Sequence, residues 1–220
     1  MGYYPIFVEL QDRRCLVIGG GREAQRKVEG LLAAGGNVTV IAPKLTRDLQ
    51  DLLAAGRIDL QQREYREGDL EGYEVVMVAT NDGAVNAEVA AEGKRRRVWV
   101  NAADDTKNCD FILPAVVRRG KIVVAASTSG TSPALARRLR EELEAYLTDD
   151  MPALADLLAE VREELRSRGI APDAELWQEA IDEDLRVLLV QRKHRQAKAR
   201  LLQALGAGEL VEELVGVETS

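Results

Sequence analysis

The sequence predicts an α/β protein, a Rossmann-like doubly wound parallel sheet followed by a middle segment and a small all-helical C-terminal domain. Three observations predict it. An aliphatic run, Leu16-Val17-Ile18, breaks into Gly19-Gly20-Gly21 and passes at once into a helical pattern. Strand-like and helix-like stretches then alternate, the pattern of a parallel sheet covered on both faces. Beyond Asp149 the apolar residues recur only at helical spacing. The expected boundaries are 1–113, 114–148 and 149–220.

Each element has its own signal. Ile6-Phe7-Val8-Glu9-Leu10 reads as a short strand, closed by the polar turn Gln11-Asp12-Arg13-Arg14. Leu16-Val17-Ile18 is short and aliphatic, as a strand buried on both faces should be. Arg22 to Ala34 has Ala24, Val28, Leu31 and Leu32 on one face, and Gly35-Gly36 stops it. Val38 to Ala42 is the next strand, which completes a βαβ unit of roughly 30 residues. Thr46 to Ala55 reads as a helix ended by Gly56. Ile58-Asp59-Leu60, Tyr73 to Ala79 and Val98 to Asn101 read as strands, with a helix over Asn86 to Arg95. After Pro114 the pattern changes. Ala115 to Ala126 predicts a hairpin turning at Arg119-Gly120. Ser132 is a good N-cap and Pro133 a good first residue for a helix running to Leu147. Leu154, Leu157, Leu158, Val161 and Leu165 form one helical stripe, ended by Gly169. Leu176 to Leu205 forms a second, with a break expected near Asp182-Asp184.

The first chemical signal is Gly19-x-Gly21-x-x-Ala24, which fits a dinucleotide fingerprint. Gly19 permits a tight turn, Gly21 lets the backbone approach a pyrophosphate, and Ala24 lets the helix pack on the sheet. The helix start aims free N–H groups at the phosphates. The fingerprint lacks one part. An acidic residue usually ends the second strand and holds the ribose hydroxyls. Ala42-Pro43-Lys44 stands there instead, so the motif alone does not choose NAD over NADP.

Other candidates lie beyond strand ends, where doubly wound sheets bind ligands. Thr80-Asn81-Asp82 follows one strand and Asn101 to Asp105 another. Asp82, Asp104 and Asp105 bring carboxylates there, suited to general-base or substrate-orienting work and equally to capping a turn or helix. Ser127 to Pro133 is small and hydroxyl-rich, precedes a helix and is followed by Arg137, Arg138 and Arg140. It reads either as an anion site or as an ordinary capped helix with a basic face.

Composition excludes several classes. The net charge of −7 argues against nucleic acid as a general partner. Cys15 and Cys109 make neither a metal cluster nor a disulfide framework and fit a reducing cytosol. His194, the only histidine, lies in the basic run Arg192-Lys193-His194-Arg195, read as a solvated helix face. It cannot form a multi-histidine metal centre, and no resident metal is expected. Met1 to Leu10 lacks the basic start of a signal peptide. No apolar run approaches the roughly 20 residues of a membrane helix.

Taken in order, Tyr4-Pro5-Ile6-Phe7, Cys15 to Gly21, Ala79-Thr80-Asn81-Asp82, Val100-Asn101-Ala102-Ala103-Asp104, Phe111-Ile112-Leu113-Pro114-Ala115 and Ser129-Gly130-Thr131-Ser132-Pro133 resemble the precorrin-2 dehydrogenase family. This is the dehydrogenase and ferrochelatase module of siroheme synthase. The likeness is strong over about residues 3–147 and weak in the tail. It implies NAD-dependent oxidation of precorrin-2 to sirohydrochlorin, and in some members insertion of ferrous iron to give siroheme. It implies Asp104 as the catalytic residue. Gly19, Gly20, Gly21, Arg22, Glu23, Pro43 and Lys44 would hold NAD, joined by Thr80, Asn81 and Asp82. Ser129, Gly130, Thr131, Ser132 and Arg137 would meet carboxylates of the tetrapyrrole. It further implies a cytoplasmic homodimer formed through residues 114–148. In some relatives the module is fused to a methyltransferase domain, an activity not expected of these 220 residues. The remote alternative is a non-catalytic NAD-sensing module.

Overall fold

The computed structural model describes residues 2–102 and 106–216. The chain forms two compact units, Met1–Leu113 and Pro114–Ser220.

The first unit is built on five parallel strands, β1 (Arg14–Ile18), β2 (Asn37–Ile41), β3 (Asp59–Gln61), β4 (Val75–Val78) and β5 (Trp99–Ala102). Their order across the sheet is β3-β2-β1-β4-β5. This is the order of a mononucleotide-binding Rossmann half extended at one edge, with the chain reversing direction between β1 and β4. Helices α1 (Arg22–Ala33), α2 (Arg47–Ala54) and α3 (Gly83–Arg96) connect the strands. Alternate side chains of β1 go to opposite faces. Cys15 and Val17 join a core with Ala24, Val28 and Leu31 of α1 and Leu49 of α2. Leu16 and Ile18 join another with Val89 of α3 and with Val76, Val78 and Val100 of the neighbouring strands. Burial on both faces is why these strands read as unbroken aliphatic runs. Burial pushes the thiol of Cys15 up to about 11, with the Glu74 carboxylate adding to the effect and Arg13 opposing it.

The stretch Ile6 to Leu10 is not a strand. It belongs to no sheet or helix, with Ile6 and Phe7 exposed. Its alternating pattern finds no ladder to join, and only Leu10 packs against the core. Among the described residues the interior also holds two charged groups, Lys27 and Glu92, that periodicity does not reveal. Lys27 of α1 is buried and donates to Oδ1 of Asn101 on β5 at 2.8 Å. Glu92 of α3 is buried and accepts from Tyr65 Oη at 2.6 Å and from the Gly68 and Leu70 amides, and it pairs with Arg96 at 2.6 Å. Burial pushes the Glu92 carboxyl up, but these donors together hold it below the ordinary glutamate range.

The second unit begins with an antiparallel hairpin, β6 (Ala115–Arg119) and β7 (Ile122–Ala126), turning through Gly120 at φ 55°. Helix α4 (Pro133–Tyr146) packs on the hairpin, capped by Ser132, whose hydroxyl accepts from the Leu135 amide. α5 (Met151–Ser167), α6 (Ala174–Ala180), α7 (Glu183–Val190), α8 (His194–Ala204) and α9 (Gly208–Gly216) complete it. The long helical pattern expected over 176–205 is three helices. Asp182 caps α7 through the Leu185 amide, as the expected break requires. A second break at Arg192, in the left-handed conformation at φ 57°, separates α7 from α8. These turns fold Leu185, Leu189, Ala197, Leu201 and Leu202 back onto Leu157, Val161 and Leu165 of α5. Among the described residues no helix is long and apolar enough to cross a membrane.

Leu201 is fully buried at the centre of that cluster. Leu201→Ala is therefore expected to cost roughly 2–5 kcal/mol, read as a lower urea midpoint for the second unit. A loss under half of the lower figure would place Leu201 outside the packed core.

Candidate functional site

A cavity of about 600 Å³ opens at the carboxyl ends of the strands. It lies over the point where the chain direction reverses, lined by the segments that follow β1, β2, β3 and β4. The turn after β1 forms its floor. Gly19 has φ +123°, and a Cβ there would stand 2.3 Å from the Ala79 carbonyl oxygen of the segment following β4. Gly20 is tighter. A Cβ there would stand 1.9 Å from the Lys44 carbonyl oxygen, and the Thr46 amide donates to the Gly20 carbonyl at 2.9 Å. At Gly21 a Cβ would meet nothing within 4 Å, so its open side is space for a ligand. Gly21 is also the N-cap of α1, and no side chain caps the helix. The first-turn N–H groups are left to an anion from outside. Ala24 is fully buried against the sheet, as the fingerprint needs.

Of the residues singled out from the sequence, Gly19, Gly20, Gly21, Pro43, Lys44, Thr80 and Asp82 line this cavity. Asp82 does so while capping α3, its carboxylate accepting from the Ala84 amide at 2.9 Å. Thr80 donates to Oδ1 of Asn86 at 3.0 Å. Arg22, Glu23 and Asn81 are not among the lining residues. Glu23 instead pairs with Arg26 at 3.0 Å. The structure adds Ile41, Leu45, Thr46, Glu64, Tyr65 and Val85 to the walls. Thr46 was legible only as the start of a helix, which it caps through the Leu49 amide. Glu64 and Tyr65 belong to a loop with no pattern of its own.

Asp104 lies outside the described residues. The strand that leads to it is fixed. The Ala102 amide donates to Cys109 Sγ at 3.2 Å, and that thiol donates to the Ala102 carbonyl at 3.1 Å. Asn101 donates to the Phe111 carbonyl at 2.9 Å while accepting from Lys27. Val78 of β4 is in register with both Ile18 of β1 and Ala102 of β5, so the three strands end level.

In the second unit, the segment Ser127 to Ser132 is folded on itself. The Ser132 amide donates to Thr128 Oγ1, which in turn donates to the Ser132 carbonyl at 3.1 Å. Ser129 and Gly130 take φ 53° and 82°. The hydroxyls of Thr128 and Ser132 are thus committed to the loop, whereas Ser129, Thr131 and Arg137 are exposed. Arg138 and Arg140 pair with Glu142 and Glu144 along α4. His194 is half-exposed, with Nε2 at 3.5 Å from Glu160. Among the described residues no group of three histidine, cysteine or acidic side chains is placed to hold a metal ion.

Sheet order, glycine turn and cavity define an NAD(P)-binding domain of the Rossmann class. A family model described as "Putative NAD(P)-binding" matches residues 6–115, and one described as "Sirohaem biosynthesis protein central" matches residues 119–146. The solved structure of SirC, precorrin-2 dehydrogenase, superposes with a TM-score of 0.76 at 30% identity, covering 91% of this chain and 100% of that one. Siroheme synthase of Photorhabdus laumondii is 36% identical over 216 residues, 97% of this chain and 46% of the relative. That of Methylococcus capsulatus is 39% identical over 209 residues, 94% and 44%. The chain belongs to the precorrin-2 dehydrogenase and siroheme synthase family. It spans about half the length of the curated siroheme synthases it matches.

The tight contact at Gly20 gives a direct check. Gly20→Ala drives a methyl group into backbone and is expected to cost roughly 1–3 kcal/mol of stability and to weaken dinucleotide binding. Chemical denaturation and NADH fluorescence titration read the two effects. A variant that matches the parent in both would show that the turn and the Lys44 segment move apart freely.

Proposed function

We propose that the protein oxidises precorrin-2 to sirohydrochlorin with NAD as acceptor, in siroheme biosynthesis. The observation that carries this reading is the glycine turn, open at Gly21, at the mouth of a cavity over the reversal point, in a chain similar along its length to a precorrin-2 dehydrogenase. The cavity fits the dinucleotide: uncapped amides of α1 suit the pyrophosphate, and Ile41, Leu45 and Val85 offer an apolar wall. NAD, when bound, supplies a two-electron acceptor. Gly19, Gly20 and Gly21 bring the backbone to its phosphates, Pro43 and Lys44 border it on the β2 side, and Thr80, Asn81 and Asp82 border it on the β4 side. Arg22 and Glu23, at the start of α1, flank the phosphates.

We assign Asp104 the proton that leaves the substrate as the hydride departs, or the orientation of the group that loses it. Support comes from the pinned end of β5, where Lys27, Phe111 and Cys109 hold Asn101 and Ala102. Precorrin-2 is a polycarboxylate. The exposed Ser129, Thr131 and Arg137, with Gly130 and the capped start of α4 at Ser132, are the residues we assign to its carboxylates. The name of the curated relatives, siroheme synthase, favours a second reading in which ferrous iron is then inserted as a substrate, with Asp104 accepting pyrrole protons.

We further assign the segment 114–148 to a homodimer interface and the helices of 149–220 to a C-terminal domain. Helix α4 has no fully buried residue, and Leu135 and Tyr146 on it are 51% and 71% exposed. A two-stranded hairpin with half-buried valines is marginal alone, which supports a second copy as its cover. Two free cysteines support a reducing cytosol.

Two experiments test this. Anaerobic turnover of precorrin-2 should need NAD and should be abolished by Asp104→Ala, which should still bind NADH. Full turnover in that variant would remove Asp104 from the mechanism. Ferrous iron added to the same reaction decides between one activity and two. Light scattering should give twice the chain mass, shifting toward one chain mass for Leu135→Arg. A monomeric parent protein would overturn the dimer.

A further inference from the structure

The motif that binds the adenosine ribose is incomplete at β2, and the neighbouring strand supplies a replacement. We propose that Glu64 is the carboxylate that takes the ribose hydroxyls and makes the site select NAD over NADP. This rests on the cofactor reading above.

The register carries the argument. In sites of this class an acidic side chain at the end of the second strand accepts from the ribose hydroxyls. Here Ile41 ends β2, and Lys44 occupies the following turn. β3 is the parallel neighbour of β2, with Ile41 paired to Gln61. Glu64 therefore leaves the sheet at the same end and the same three-residue offset as Lys44. Both line the cavity. Gln62 ties the two segments together, donating to the Pro43 carbonyl at 3.4 Å.

Glu64 sits between two anchored residues. On one side the Arg63 guanidinium grips Asp69 with two nitrogens, at 2.6 and 2.7 Å, and Asp69 also accepts from the Arg66 amide at 2.8 Å. On the other side Tyr65 donates its hydroxyl to Glu92, the buried carboxylate of α3. Bidentate and charge-assisted bonds of this kind hold geometry well. The Glu64 carbonyl accepts from the Arg63 guanidinium at 3.0 Å, while its carboxylate makes no hydrogen bond or ion pair among the described residues. A loop fixed on both sides thus presents a free carboxylate to the cavity.

A carboxylate accepts two hydrogen bonds from vicinal hydroxyls and repels a phosphate placed on one of them. Lys44 opposes that repulsion with one charge. The described lining holds no arginine, the residue whose fork suits a phosphate ester. The balance therefore lies with the unphosphorylated ribose. Glu92 is a positioning residue for this selection, acting through Tyr65.

The test is direct binding of NADH and of NADPH to the full chain, by fluorescence titration, with precorrin-2 turnover measured separately. The parent protein should bind NADH more tightly. Glu64→Gln should narrow the NADH to NADPH affinity ratio roughly tenfold or more, since a hydrogen bond to a charged group is lost and the repulsion with it. Glu92→Gln should narrow the same ratio by less. Tyr65→Phe, which keeps the buried carboxylate and its other donors, serves if Glu92→Gln does not fold. A ratio unmoved by Glu64→Gln, or a parent protein that prefers NADPH, overturns the proposal. A parent protein that prefers NADH but leaves precorrin-2 unchanged overturns the catalytic reading and leaves this one standing. One that binds neither dinucleotide overturns both.

Discussion

The close approach of three backbone segments at Gly19 and Gly20 is the constraint on which the first unit depends. The turn after β1 lies against the Ala79 carbonyl on one side and the Lys44 carbonyl on the other, at separations that leave no room for a side chain. That crowding brings the segments following β1, β2 and β4 to one point and leaves Gly21 facing open space. Helix α1 can then start with its amides uncapped, because the packing of Ala24 and Val28 on the sheet stabilises the helix without help from a cap. Local crowding at two residues and emptiness at a third are parts of one arrangement.

A second layer of organisation is polar and buried. Lys27 spans from α1 to β5, and Glu92 spans from α3 to the loop after β3. Buried charges are costly unless fully partnered, and Glu92 has four donors. Such groups stabilise less than an apolar core of equal size, but they specify where a loop or a strand end sits. In this chain one holds Asn101 on the strand that precedes Asp104 and the other holds Tyr65 in the loop that carries Glu64.

Much of the sheet was legible because its strands are buried on both faces. Leu16 to Ile18, Val38 to Ile41, Val75 to Val78 and Val98 to Val100 can be little else in an alternating α/β pattern. Ser132 was equally readable as a cap, and Asp182 as a break, since each side chain acts on an amide three residues away. Ile6 to Leu10 misled because alternation signals a strand only where a partner edge exists. The break at Arg192 was hidden because nothing local demands it, and packing of α8 onto α5 does. Within the site, the glycines announced themselves through their lack of side chains. Tyr65 and Glu92 did not, because their roles depend on partners 22 to 27 residues away in sequence, and Glu64 did not, because it reaches the cavity only through the pairing of β3 with β2, relations that exist only after folding.

The buried thiol of Cys15 is a clock for the sheet. It lies in β1, two strands from either edge, and burial pushes it up to about 11. Thiolate is the reactive form, so near neutrality this residue is inert for as long as β1 stays in place. An alkylating reagent therefore labels Cys15 only at the moments when β1 leaves its neighbours. The labelling rate counts those openings, as hydrogen exchange does for amides. The strand that opens is the one that ends in the glycine turn, so the same count records how often the nucleotide cradle comes apart.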